Sequence, residues 1–293
     1  MFKCKQIMML LGLVCLVVFC LPTFAQAAAA KGASMADIGK KLNNPGSDLA
    51  QLNFKFIWDQ YKGDLPGTTS QDSVTLEFQP VFPFKLNDEY NLIVRPTIPL
   101  TWTPHFNASA GGFDEQFGLG DTQLMLTLSH TNAKKGYFWG VGMTPQFPTH
   151  TDDVLGNDAF QLGPAAYYGI GRKWGTLGVF PQHWWNIGGG DGYSCLTATQ
   201  IFYWFDVGKE GWQIGGSPVI SYNWAADDSD QAWTIPVNLG LAKTVKIGET
   251  PVKFKLEGVY YFDQPDAFGP SWGLQFTCTP VIANPFEAHS AKK

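Results

Sequence analysis

Alternation of apolar and polar side chains is the feature of this sequence that most restricts its fold. In GLGDTQLMLTLSH, residues 118–130, a glycine-rich corner that ends in Asp121 is followed by an uninterrupted period of two. One face carries Thr122, Leu124, Leu126 and Leu128, and the other carries Gln123, Met125, Thr127 and Ser129. This period is typical of a β-strand whose two faces meet different surroundings. Residues 73–79, 232–239 and 252–257 show the same pattern.

Composition indicates which surroundings the apolar face meets. Only 15% of the residues are charged, where a soluble protein carries about a quarter, while 15% are aromatic. Beyond the N-terminus no stretch approaches the roughly 20 apolar residues of a membrane-spanning helix. These properties favour a β-barrel in a membrane, where lipid covers the apolar faces and the polar faces line a lumen.

The strand-like segments are numerous enough to close such a barrel. Each reaches at least the roughly 9–11 residues that a tilted strand needs to cross a bilayer, and an even number is usual for bacterial barrels. We predict an all-β, transmembrane antiparallel β-barrel of about 12 strands over residues 51–283. The predicted strands are 52–60, 73–84, 90–101, 117–130, 137–147, 159–171, 176–186, 195–206, 212–223, 232–245, 252–262 and 271–283.

Prolines within these segments each remove a ladder hydrogen bond, so we expect them at bulges or at unpaired positions. They are Pro80, Pro96, Pro164, Pro181, Pro218 and Pro236. The predicted seventh and eighth strands alternate poorly, which leaves their register open.

The predicted connections alternate between long and short, as the two ends of an outer-membrane barrel do. The long ones cover residues 61–72, 102–116, 148–158, 187–194, 224–231 and 263–270. They are acidic and contain Lys62 as their one basic residue, whereas most of the remaining lysines and arginines of the connections lie in the short turns. We expect the long loops to face outward, where divalent cations bridge them to the lipid and lipopolysaccharide of the outer membrane.

The N-terminus indicates export from the cytoplasm. Residues 1–27 combine two lysines, a long apolar run and a small-residue cleavage site, which predicts a signal peptide; a retained anchor is the alternative. Its removal changes the formal net charge from −5 to −7, which argues against nucleic-acid binding. Residues 28–50 are predicted to be a periplasmic leader with a short helix at 35–42, and residues 284–293 a C-terminal tail. Cys195 and Cys278 are predicted to be unpaired packing residues.

Several segments of the chain are similar to one known family. The resemblance is carried by FQPVFPFKLNDEYNLIVRPTIPL (residues 78–100), GLGD (118–121), WGVGMTPQFPTHTDDVLG (139–156), WTIPVNLGLAKTVKIGETPVKFKLEGVYYF (233–262) and KKLNNP (40–45). The chain resembles the outer-membrane transporter-like family named for the MetA pathway of phenol degradation. The resemblance implies a β-barrel that passes small, often aromatic or hydrophobic compounds, without catalytic residues.

One departure concerns the C-terminus. Many outer-membrane barrels end on an aromatic residue that the barrel assembly machinery uses, and that machinery is an expected partner. Here Phe286 is followed by a tail.

Charged residues on the predicted inner faces are the candidate functional residues. The lumen-lining candidates are Lys55, Glu77, Arg95, Asp121, Lys253, Lys255 and Glu257. They fit either a closed, salt-bridged interior or a path for a small solute. Twelve strands lie between the filled eight-stranded barrel and the open barrels of sixteen or more, so we expect a narrow or plugged pore.

Residues for catalysis or metal binding are not arranged by the sequence into a recognisable site. Ser129 and His130 are adjacent in a strand and must face opposite sides, and no G-x-S-x-G corner is present. Residues 149–158 group His150 with aspartates but lack the spacing of an EF-hand calcium loop. We therefore predict no enzyme activity, no cofactor and no metal.

The predicted function is a channel in the bacterial outer membrane that passes small organic compounds by passive diffusion. A structural or binding barrel without transport is the first alternative, and a lipid-modifying barrel enzyme is the second.

Overall fold

The computed structural model describes residues 33–68, 70–132, 135–190, 194–208 and 210–286. The predicted signal peptide and most of the predicted tail lie outside these ranges. The elements are α1 (Met35–Lys41), β1 (Gln51–Lys62), β2 (Gln71–Lys85), β3 (Tyr90–Asn107), β4 (Gly112–Leu119), β5 (Thr122–Asn132), β6 (Tyr137–Met143), β7 (Gln146–Phe147), β8 (Phe160–Leu162), β9 (Pro164–Arg172), β10 (Gly175–Gly188), β11 (Cys195–Val207), β12 (Trp212–Gly216), β13 (Val219–Asn223), β14 (Trp233–Ile247), β15 (Thr250–Asp263) and β16 (Gly269–Pro280).

The strands form one closed antiparallel barrel, because β1 pairs with β16 on one edge and with β2 on the other. Four pairs of consecutive strands are collinear, and the two members of each pair both hydrogen-bond to the same neighbouring strand. These pairs are β4 with β5, β6 with β7, β8 with β9 and β12 with β13. The barrel therefore has 12 strand positions, and the predicted number of strands is confirmed. Among the described residues, no helix has the length and apolarity that crossing a membrane requires.

Burial is inverted relative to a water-soluble protein. Large apolar side chains are exposed on the outer surface, for example Leu239 at 65% and Leu256 at 55%. Polar side chains are buried on the inner surface, for example Thr127 at 0% and Asn238 at 1%. Soluble proteins bury their apolar residues and expose their polar ones, so this arrangement matches a wall that faces lipid outside.

The segment at residues 118–130 has the two faces that the alternation predicts. Leu128 is 37% exposed on the outside, and Ser129 is 1% exposed on the inside. The predicted single strand is wrong in one respect, because the chain leaves the ladder at Gly120 and Asp121 and divides it into β4 and β5. A side chain at Gly120 would contact the ring of Pro99, so the glycine permits this close approach.

The predicted long loop at residues 102–116 is also wrong, because β3 and β4 continue as a hairpin. Their register runs from Leu100 opposite Leu119 to Asn107 opposite Gly112. Strand residues beyond the bilayer still gain a ladder hydrogen bond each, so the pairing extends past the length that the membrane requires.

Prolines lie at interruptions of the ladder, as expected. Pro80 and Pro96 lie between the pairs Phe78–Ile98 and Phe82–Val94, where β2 and β3 do not pair with each other, although each strand still pairs with its other neighbour. Pro218 lies between β12 and β13, and Pro236 adjoins a register shift in β14. The missing N–H donors thus coincide with positions that need no donor.

The inner surface is only partly polar, although alternation places polar faces on the lumen side. Strands β2 to β11 contribute an apolar cluster that fills one side of the interior. Its members are Val81, Ile93, Met125, Phe138, Ala165, Tyr167, Phe180 and Phe202, each at most 5% exposed. The polar and charged side chains that line the remaining space come from β15, β16 and β1 and also from β2, β3, β5, β10 and β11.

The leader occupies the end of the barrel where the short turns lie. Ser34 caps α1 by accepting a hydrogen bond from the Asp37 amide at 3.1 Å, and the helix ends one residue before the predicted limit. Ile38, Leu42 and Leu49 pack against Val281 at the end of the wall. Residues 33–50 thus lie inside this end of the barrel.

Candidate functional site in the barrel lumen

A cavity of about 300 Å³ lies in the lumen above the leader. That volume is at the lower end of the range for small-molecule sites. Leader residues 42–45 line one side of it. Five of the seven predicted lumen residues line the cavity: Lys55, Glu77, Arg95, Lys255 and Glu257.

Strand register places three of these charges in one row across the wall. Lys255 on β15 and Lys55 on β1 are both opposite Thr277 of the intervening β16, and Lys55 is opposite Glu77 on β2. The Lys55 ammonium lies 3.8 Å from a Glu77 carboxylate oxygen. Residues opposite each other in antiparallel strands project to the same side, so the row follows from the pairing alone.

The two acids of the cavity are held by neutral donors. Glu257 accepts hydrogen bonds from the Ser217 amide at 2.7 Å and from the Asn238 side chain at 3.2 Å. Glu77 accepts one from the Gln79 side chain at 3.0 Å. The carboxylates are thereby fixed in position.

Two cations of the cavity lie against aromatic rings instead. The Arg95 guanidinium lies 5.2 Å from the ring centre of Phe180, and the Lys255 ammonium lies 5.0 Å from that of Trp204. The buried Nε atom of Arg95 has no hydrogen-bond partner among the described residues. Aromatic faces attract a cation but do not replace a hydrogen-bond acceptor.

Lys253, the sixth predicted lumen residue, lies beneath the leader instead of lining the cavity. It is fully buried, and its ammonium donates to the Gly39 carbonyl at 2.8 Å and to Oδ1 of Asn43 at 2.6 Å. A third bond goes to Oε1 of Gln213 at 2.6 Å. All three protons of the ammonium are used, two of them on the leader.

Further contacts fix the leader on other strands. Lys40 forms a 3.3 Å ion pair with Asp206, and the Ser129 hydroxyl donates to the Gly46 carbonyl at 3.1 Å. A side chain at Gly46 would collide with the Tyr167 and Ser129 hydroxyls, so only glycine fits this crossing.

Asp121, the seventh predicted residue, holds the loop at residues 148–158 and is also absent from the cavity lining. One carboxylate oxygen lies 2.7 Å from Nδ1 of His150, and the other accepts the Asn157 amide at 2.7 Å. Nε2 of His150 lies 3.1 Å from Asp158. Ligand atoms of His150, Asp153 and Asp158 lie within 4.8 Å of one another, a spacing that a metal ion could bridge.

The stability of this loop should depend on pH because of His150. Its hydrogen bond to Asp121 raises the pKa of the imidazole above the ordinary 6.5, Asp158 acts in the same direction, and burial opposes both. The doubly protonated ring donates to both carboxylates, so the stabilisation is present below pH 6.5 and is lost as the pH rises through the raised pKa.

We predict that protection of the Asn157 and Thr151 amides from hydrogen exchange, corrected for intrinsic rates, falls roughly fivefold across this transition. That factor corresponds to one hydrogen bond worth about 1 kcal/mol. In His150→Gln the pH-dependent step should be absent. If the variant showed a step as large as that of the wild type, the assignment to His150 would be contradicted.

Sequence reasoning missed two groups of residues. Asp59 projects inward, where the Tyr261 hydroxyl lies 3.1 Å from its carboxylate. Its position directly after Trp58, which lies on the outer face, could have revealed it by alternation. Cys195 and His183 lie on neighbouring strands, with Sγ 3.4 Å from Nε2. That second pair is invisible without the β10–β11 register.

The cysteines show no disulfide among the described residues, and both are buried. Cys195 is 5% exposed, and Nδ1 of its neighbour His183 lies 2.7 Å from the Thr197 hydroxyl. A thiol beside an imidazole is the pairing that nucleophilic catalysis uses, but the low exposure restricts access to this sulfur.

Comparisons with known proteins identify the fold. No family model and no curated protein sequence matches the chain. An outer membrane channel from Pseudomonas putida F1 matches with a TM-score of 0.57 and 16% identity, over 80% of this chain and 95% of that one. The fold is thus that of a bacterial outer-membrane barrel, in agreement with the predicted localisation.

Two other solved structures match less well. Outer membrane phospholipase A from Escherichia coli has a TM-score of 0.38 and 12% identity, over 79% of this chain and 96% of that one. A FadL homologue from Pseudomonas aeruginosa has a TM-score of 0.35 and 10% identity, over 89% of this chain and 96% of that one. These scores are too low to support an argument about function.

Proposed function

We propose that the protein is a channel of the bacterial outer membrane that lets small organic compounds cross by passive diffusion. The observation that carries this proposal is the lumen cavity, which is lined by charged and amide side chains within a wall whose outside is apolar. A barrel that served only as a scaffold would gain stability from an apolar filling, because buried charges are costly to desolvate.

Reconstitution of the full chain tests the proposal. In planar bilayers we expect discrete, small conductance steps, and in a liposome-swelling assay we expect uptake of small organic solutes with a steep loss as solute size increases. Heat-modifiable migration on gels checks that the barrel is folded. Folded protein that gives neither conductance nor swelling would rule the channel out.

A barrel that binds or supports without transport is the second candidate. The leader and the apolar cluster favour it, because the leader occupies the short-turn end of the lumen and the cluster fills one side of the interior. Conductance that appears only after the leader is displaced would distinguish a gated channel from this alternative.

We further infer that the chain belongs to the MetA-pathway transporter-like family that its sequence resembles. Residues 78–100 and 233–262 support this inference, since these two segments of the resemblance contain the cavity residues Arg95, Lys255 and Glu257. The orientation with short turns toward the periplasm, the lipopolysaccharide contacts of the acidic loops and the role of the barrel assembly machinery are parts of the same proposal. Proteolysis of intact cells within the long loops would test the orientation.

A further inference from the structure

The hydrogen bonds of the lumen are unequally shared between its acids and its cations. Glu257 and Glu77 each accept hydrogen bonds from neutral donors. Arg95 and Lys255, in contrast, have no hydrogen bond and no ion pair within 4.0 Å among the described residues. Both line the cavity, so a solute in it could accept the hydrogen bonds that these groups do not form with the described residues.

The charges that line the cavity also sum to a positive value. Its lining contains the cations Lys55, Arg95 and Lys255 and the acids Glu77 and Glu257, which leaves one positive charge in excess. Asp59 lies outside this lining and is engaged by Tyr261 at 3.1 Å. A confined site with excess positive charge and low-dielectric walls attracts anions.

Aromatic side chains adjoin the cations. Trp204 lies 5.0 Å from the Lys255 ammonium, and Trp184 and Phe202 also line the cavity. An anion with a small apolar body can therefore pair its charge with a cation while its body covers a ring.

We propose that Arg95 and Lys255 make the lumen cavity a binding site for small organic anions, specifically monocarboxylates with an apolar body. This inference rests on the proposed channel function for its physiological meaning, because it names the class of solute that the lumen selects. The guanidinium and the ammonium supply the charge-assisted hydrogen bonds that a carboxylate accepts.

Binding of benzoate to the full chain in detergent tests the site, with benzamide as the uncharged probe of similar shape. Isothermal titration calorimetry should show benzoate binding at least about tenfold more tightly than benzamide, as hydrogen bonds between charged groups imply. Arg95→Gln combined with Lys255→Gln should remove that preference.

Two control variants separate the site from general effects of charge and folding. Lys62→Gln removes an exposed cation at the end of β1, outside the cavity lining, and should leave benzoate binding unchanged. Arg95→Lys combined with Lys255→Arg keeps both charges and should retain most of the preference. Gel migration of unheated samples verifies that each variant forms the barrel.

The outcomes distinguish this inference from the channel proposal. Equal binding of benzoate and benzamide, or an equal loss of benzoate binding in Lys62→Gln, would overturn the anion site even if the barrel conducts. Charge-dependent benzoate binding by a barrel that shows no conductance and no swelling would support the site and overturn the channel.

Discussion

Replacing Lys253 with methionine will release the leader and increase the conductance of the barrel severalfold. The buried ammonium donates to Gly39, Asn43 and Gln213, so its removal leaves three buried acceptors without this donor. An unsatisfied buried polar group costs about 1–3 kcal/mol, and the leader can regain these hydrogen bonds from water only by leaving its position. Single-channel recording in planar bilayers measures the change.

The control for this variant is Lys246→Met. Lys246 belongs to the same β14–β15 hairpin, its side chain is 48% exposed, and it pairs with Glu249 at 2.8 Å. Both substitutions remove one positive charge, but only Lys253 bonds to the leader. Equal conductance in the two variants would show that the leader does not restrict the lumen.

A reversible cross-link provides the converse measurement. A Cβ atom built at Gly39 lies 3.6 Å from Cβ of Thr244, within the 3.5–4.5 Å that a disulfide requires. In Gly39→Cys combined with Thr244→Cys, oxidation should keep the conductance low even when Lys253 is methionine. Reduction should then raise it to the level of Lys253→Met alone.

The fold was predictable from the sequence because lipid imposes a period of two on most of the strands. All 12 predicted strand positions correspond to strands or to pairs of collinear strands. What alternation did not predict is where a strand stops. The break at Gly120 depends on its approach to Pro99, and the extension of β3 to Asn107 depends on pairing with β4 beyond the membrane.

The inward direction of a side chain was also predictable, but its surroundings were not. Lys253 and Lys255 are two residues apart and share one face of β15. One is enclosed by the leader and the other lines the cavity, a difference set by residues more than 200 positions away. The apolar filling by Phe180 and Phe202 was missed for a related reason, since their strands alternate poorly.

The lumen therefore contains two groups of residues with separate expected effects, one on access and one on the charge of the bound solute. We expect the leader, held by Lys253 and by the Lys40–Asp206 pair, to restrict the short-turn end of the lumen. The unpaired cations Arg95 and Lys255 act on whatever reaches the cavity above it. Lys253 and Lys255 lie 5.6 Å and 5.0 Å from the same ring of Trp204, so Arg95 is the residue whose substitution should best separate anion preference from conductance.

Replacing Leu256 with arginine will destabilise the barrel in lipid by about 2–4 kcal/mol, the cost of a cation at the middle of the lipid-facing surface. Leu256 is 55% exposed near the centre of β15 and lies opposite Leu241, which has the same exposure. In water an exposed leucine tolerates this change within about 0.5 kcal/mol, so the size of the effect reports the solvent that surrounds the wall. Denaturant titration of the protein in phospholipid vesicles measures it.

Leu86→Arg is the matched control, because Leu86 is 57% exposed but lies in the short turn between β2 and β3. That turn is outside the hydrocarbon, where arginine is solvated and the free energy of unfolding should change little. If Leu256→Arg and Leu86→Arg shift the denaturation midpoint equally, lipid does not cover the outer face of β15. A difference of about 2–4 kcal/mol between two leucines of similar exposure exceeds what strand and turn propensities account for, so it reports the medium that each one contacts.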